Sequence, residues 1–126
     1  MEFKKPEVAF NLNSEQLSQF VAELSLEKKA EDVIIMDLRE VTSITDYFVI
    51  CSGDTDAQIK AICDHIREQL EQNDIKIWHV EGYQFLNWVL IDLVDVVIHI
   101  FRPEVRDYYG LERLWGDAKT TRVEDQ

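Results

Sequence analysis

Two strand-like runs, Trp88–Asp92 and Asp95–Phe101, are separated only by Leu93 and Val94. Two residues cannot carry a helical crossover, so the runs must fold back as an antiparallel hairpin. A two-residue loop pairs Asp92 with Asp95, Ile91 with Val96, Leu90 with Val97, Val89 with Ile98 and Trp88 with His99. Side chains alternate between the faces of a strand. One face is then Val89, Ile91, Val96, Ile98 and Ile100, all aliphatic, and it must meet a core. The other carries Trp88, Leu90, Asp92, Asp95, Val97 and His99. That mixture reads as a surface built for a partner, or as a half-covered sheet face.

Asp92 facing Asp95 costs a few tenths of a kcal/mol or so, because like charges directly opposite destabilise a sheet. A basic partner group between them reverses the cost; the plainer reading is two solvated carboxylates at a hairpin tip. His99 opposite Trp88 reads as a packed pair or as a contact residue. Trp88 suits the core, and Trp is also enriched at binding hot spots. The Leu-Val turn contains neither Gly nor Asn, which is poor turn chemistry and leaves an apolar tip exposed.

The rest of the chain supplies an α/β setting. Residues 1–13 lack a clear period and read as an N-terminal arm. Asn13 or Ser14 offers an N-cap, with Gln16 in capping-box position, for a helix over about 14–29. Val33–Met36 is a short apolar run, as for a strand covered on both faces. Residues 39–46 read as a loop, and Tyr47–Cys51 as a second strand. The loop is too short for a helical crossover, so these two strands are not a βαβ unit. Ser52-Gly53-Asp54-Thr55 caps a helix whose stripe is Ile59, Ile62, Cys63, Ile66 and Leu70. Asn73-Asp74 ends it, and a third strand is expected over Ile75–Val80, in a βαβ unit with the second if the two are parallel. Glu81-Gly82 opens a loop to residue 86. Pro103 ends the last strand and suits the first turn of a short helix, which Gly110 breaks. A last turn covers Leu111–Trp115. The expected fold is a single compact α/β domain over 14–118, a mixed five-stranded sheet flanked by helices, with a polar tail over 119–126.

Charge narrows the partners. The 126 residues carry 13 Lys plus Arg against 25 Asp plus Glu, a net −12 with His neutral. Residues 31–77 hold eleven acids and four bases, and no stretch is a basic patch. Phosphate binding needs a local Lys/Arg excess, so nucleic acid is not the main contact expected. A basic protein is. Cys51 and Cys63 lie among apolar neighbours and read as small buried hydrophobes. Neither a signal peptide nor an 18-residue apolar run is visible, so a cytoplasmic location without membrane contact is expected.

Catalytic signals are weak. Asp54 and Asp56 in Gly53-Asp54-Thr55-Asp56 resemble the paired carboxylates with which nucleotidyl transferases hold Mg²⁺. They stand at a helix start, where Asp also serves as cap and dipole partner. No phosphate-binding glycine loop or nucleophile elbow occurs. His65, His79 and His99 fall on separate elements, and no Cys/His spacing suits zinc. No enzyme, metal or cofactor is expected; a Mg²⁺-dependent nucleotidyl transferase and a plain dimerisation module contacting through 82–88 are the alternatives.

Six blocks stand in one order: DVIIMDL (32–38), ITDYFVICSG (44–53), VEG (80–82), WVLID (88–92), DVVIHIF (95–101) and RDYYGLERLW (106–115). Together, from about residue 14 to 118, they resemble the ribosomal silencing factor family, also called the Iojap family. The resemblance implies an α/β fold related to nucleotidyl transferases but without their catalysis. It implies binding to the large ribosomal subunit through the ribosomal protein numbered fourteen. That position blocks the small subunit and represses translation, chiefly when nutrients are scarce. It also implies a homodimer. The family's Trp falls on Trp88, its Glu-Gly on Glu81 and Gly82, and its Asp and His positions on Asp92, Asp95 and His99. With Leu90, these are the expected partner-binding residues. Members often have Gly where this chain has Val94, which leaves the turn's shape open. The segment between Gly82 and Trp88 is unusually apolar (Tyr83, Phe85, Leu86), as for a wider contact or for local packing.

Overall fold

The structure, a computed structural model, describes residues 12–124. Most of the expected arm therefore lies outside the described residues. Asn13 begins the first helix, α1 (Ser14–Glu27). Its side chain accepts from the Gln16 N–H at 2.8 Å, and the Gln16 side chain accepts from the Asn13 N–H at 3.1 Å. The reciprocal cap satisfies two orphan donors.

Next come β1 (Glu31–Asp37), β2 (Tyr47–Ser52), α2 (Asp56–Gln72), β3 (His79–Glu81), β4 (Trp88–Asp92) and β5 (Val96–Phe101). The chain closes with α3 (Pro103–Tyr109), the single turn α4 (Leu111–Leu114) and β6 (Lys119–Arg122). The sheet runs β3-β4-β5-β2-β1-β6. It is mixed: β2 pairs with β5 in parallel, and the other four pairings are antiparallel.

The sixth strand corrects the expected five. β6 falls in the supposed polar tail and pairs with β1 from Ile34↔Arg122 to Asp37↔Lys119. All four of its residues are exposed, so no apolar pattern marks it. The third strand is also shorter than expected. Residues 75–78 are irregular, and the Ile75 N–H turns back to the Leu70 carbonyl at 2.9 Å. β3 runs parallel to β2, but β5 and β4 lie between them, so they are not neighbours.

One sheet face carries the main core. Ile59, Ile62, Cys63, Ile66 and Leu70 of α2 and Val21, Ala22 and Leu24 of α1 pack with Val89, Ile91, Val96, Ile98 and Ile100 of the hairpin. The opposite face has a smaller core of Ile34, Met36, Leu38, Ile50 and Phe101, covered by Val105, Leu111 and Trp115. Among the described residues, no helix is long and apolar enough to cross a membrane.

The hairpin register differs from the expected one. The pairs are Asp92↔Val97, Ile91↔Ile98, Leu90↔His99, Val89↔Ile100 and Trp88↔Phe101. The turn is longer than two residues: the Leu93 N–H donates to the Val96 carbonyl at 2.9 Å, and the Asp92 carboxylate accepts from the Val94 N–H at 2.8 Å. Val94 adopts φ 78°, a conformation that costs a β-branched residue about 1–3 kcal/mol. The register shift is two residues, so every side chain of the two strands keeps the face assigned by alternation, whereas Asp95 falls in the turn. The pairing of Asp92 with Asp95 does not survive it.

Candidate partner-binding face

The outward side of the hairpin is covered unevenly. At the β5 side, α3 and the turns after it cover Phe101, and the rings of Phe48, Trp88 and Phe101 enclose His99; the two residues are 0 % and 4 % exposed. Towards β4 and β3 the cover ends, and Trp88, Leu90, Asp92 and Val97 are half-buried. Glu81 pairs opposite Leu90 and His79 opposite Asp92, so both project from this same face at the sheet edge.

Trp88 is fixed from several sides. Its indole N–H donates to His99 Nδ1 at 3.0 Å. Its ring meets those of Phe101 and Tyr109 at 4.9 and 4.8 Å. Because Nδ1 accepts, the neutral His99 ring carries its proton on Nε2. That Nε2 is buried without a hydrogen-bond partner among the described residues. The imidazole sits edge-on to Phe48 at 4.6 Å. Burial pushes its pKa down to about 3, so the ring is uncharged at neutral pH. His99 therefore offers a partner almost no surface. What it supplies is support for Trp88.

The acidic residues separate into two groups. The Asp92 carboxylate is 3.7 Å from His79 Nε2, which lies 3.0 Å from the Glu81 carboxylate. Glu81 and Asp92 thus flank Leu90 at the open edge. Asp95 is elsewhere, in the turn, where its carbonyl accepts from the Asp46 and Tyr47 N–H groups at 3.0 and 3.1 Å. Gly82 adopts φ 82°, and a Cβ there would overlap the Trp88 carbonyl oxygen. Its missing side chain lets the loop pass against β4 at the foot of Trp88.

The structure adds Tyr109 and His79 to this face and keeps Val97 there, opposite Asp92, where alternation placed it. Tyr109 is 53 % exposed and continues the aromatic surface outward from Trp88. The only sequence signal for it was an aromatic pair ahead of the helix-breaking Gly110. In the 82–88 segment, the Tyr83 hydroxyl donates to Asp64 at 2.8 Å and Leu86 packs on the core, whereas Phe85 is exposed. Local packing accounts for two of its three large apolar residues.

At the start of α2, the Thr55 hydroxyl oxygen accepts from the Gln58 N–H at 3.1 Å, so Thr55 is the cap. Arg102 ion-pairs with Asp56 and donates to the Asp54 carbonyl at 3.1 Å. Asp56 is thus already neutralised by a protein cation. Among the described residues, no cluster of three or more His, Cys, Asp or Glu is placed to hold a metal. Cys51 and Cys63 are buried and free, and burial pushes their thiols up to about 12 and about 11.

Comparison with known proteins gives a consistent picture. Residues 11–126 match the family model described as "Ribosomal silencing factor during starvation". The ribosomal silencing factor RsfS of Bacillus subtilis is 40% identical over 107 residues, 85% of this chain and 91% of that protein. The chloroplastic protein Iojap of Zea mays is 35% identical over 99 residues, 78% of this chain and 42% of that one. A crystal structure of a Chromobacterium violaceum protein superposes with a TM-score of 0.81 at 32% identity, covering 90% of this chain and 95% of that one.

Proposed function

Because the chain belongs to the ribosomal silencing factor family, we propose that it represses translation in the cytoplasm by docking on the large ribosomal subunit and keeping the small subunit from joining. The contact is the ribosomal protein numbered fourteen, met by the open half of the hairpin face. Steric exclusion is the whole mechanism, so no covalent step is required.

The observation that carries this reading is the half-exposed Trp88. It is locked by His99, Phe101 and Tyr109 and bordered by Leu90, with Glu81 and Asp92 beyond. An apolar centre with a charged rim is the anatomy of a protein interface. A side chain already held in place loses little entropy on docking. The acidic rim and a net charge of −12 favour a basic protein over rRNA.

Co-sedimentation with purified large subunits, followed by a subunit-joining assay, tests the reading. The wild-type chain should pellet with large subunits and slow joining. Trp88→Ala should weaken binding by about 2 kcal/mol or more, roughly thirtyfold. A wild-type chain that stays in the supernatant sinks the proposal. A folded Trp88→Ala variant that binds as well as wild type moves the contact elsewhere. Sedimentation of the free chain at several concentrations tests the homodimer.

A further inference from the structure

One end of the sheet carries apolar side chains that the fold does not use. Val41 and Ile44, between β1 and β2, are 38 % and 78 % exposed, and Val94, in the β4–β5 turn, is 55 % exposed. The two loops form one unit: the Thr45 hydroxyl donates to the Val94 carbonyl at 2.9 Å, and the Asp46 N–H donates to the Asp95 carbonyl at 3.0 Å.

Val94 is the informative residue. Leu86 also has a positive φ, 59°, but its side chain packs against the main core, which offsets the strain. Val94 holds φ 78° with its side chain largely exposed and in neither core, and the turn is held through its backbone, by the Asp92 carboxylate on its N–H and the Thr45 hydroxyl on its carbonyl. Glycine would make the same turn with less strain. The surroundings are acidic. Glu40, Asp46 and Asp95 have no ion-pair partner among the described residues. The one cation of these loops, Arg39, is held by both carboxylate oxygens of Asp37. Asp92 joins this end to the hairpin face, since its carboxylate accepts from the Val94 N–H.

We infer that this end is a second contact element, in which Ile44 and Val94 enter an apolar notch on a basic protein surface while Glu40, Asp46 and Asp95 meet its cations. The inference rests on the function proposed above and extends the same docking event past Asp92. A turn held by polar contacts in a conformation that turns a β-branched side chain outward is what a contact site can retain, and an apolar tip in an unpaired acidic rim selects a basic partner.

The test uses the full chain with V94G and I44S, measuring large-subunit affinity, melting temperature and self-association. Each variant should bind about five- to tenfold more weakly, as for a partly buried aliphatic contact. V94G should melt at or above the wild-type temperature, and I44S should match wild type, so the loss cannot come from unfolding. Wild-type affinity in both variants overturns the tip alone. No binding by the wild-type chain overturns the proposed function and the tip together. Variants that lose self-association but keep subunit affinity also overturn it, because the occupant is then a second copy.

Discussion

A half-buried indole needs an acceptor for its N–H, and a sheet face lined with aliphatics has none to spare. His99 provides one for Trp88, 3.0 Å away, without bringing a charge into the core. The pH consequence has a definite sign. The unfolded imidazole titrates near 6.5 and the folded one near 3, so the unfolded chain takes the proton first. Stability from the neutral ring is complete above about pH 6.5 and drains away as pH falls toward 3. His99→Phe removes that linkage. Urea unfolding of wild type and His99→Phe at pH 7 and pH 4.5 should show their stability difference moving by about 2 kcal/mol in favour of the variant at the lower pH. An unchanged difference would mean that the folded ring takes up protons as readily as the unfolded one. The variant also leaves the Trp88 N–H without its acceptor, so it should be the less stable protein at pH 7.

At the scale of elements, what could be read from sequence depended on whether burial leaves a periodic trace. The α2 stripe from Ile59 to Leu70 is fully buried, and five apolar residues at helical spacing announced it. Its cap was legible only as a segment, residues 52–55: the Asp residues at this helix start read as cap and dipole partner, and it is the Thr55 hydroxyl that accepts from the Gln58 N–H. Thr55→Ala should therefore cost about 1 kcal/mol in a urea titration with no change in slope; a loss well under half that would assign the helix start to the Arg102–Asp56 pair instead. The hairpin shows where legibility ends. Alternation fixed which side chains face outward, because a shift of two residues preserves it. The register itself depended on the turn, and a Val at φ 78° gives no signal that a propensity argument can read. Trp88, Leu90 and Asp92 were thus placed together correctly, while Asp95 was assigned to the wrong partner. β6 was invisible because its four residues are exposed, and it joins β1 by backbone pairing and the surface Arg122–Asp32 ion pair, neither of which leaves an apolar pattern. Tyr109 reaches Trp88 through the packing of α3, which no local pattern encodes.

For the molecule as a whole, the net charge of −12 sets two salt responses of opposite sign. Folding gathers the excess carboxylates onto one compact surface, and their mutual repulsion opposes the folded state. Surface pairs such as Arg39–Asp37 and Arg122–Asp32 act the other way, but exposed pairs of this kind contribute little and are themselves screened. Net repulsion should dominate. Raising NaCl from about 0.05 to 0.5 M shortens the Debye length from roughly 14 to 4 Å and should stabilise the free protein by up to about 1 kcal/mol in thermal or urea melts. The same change should weaken binding to large subunits, because the acidic rim around Trp88 and the turn then attracts a basic partner less. Stability and affinity moving apart with salt separates long-range charge from packing. If both fall together, the local ion pairs control the fold. If affinity does not respond, the contact is apolar and the acidic rim does not select the partner.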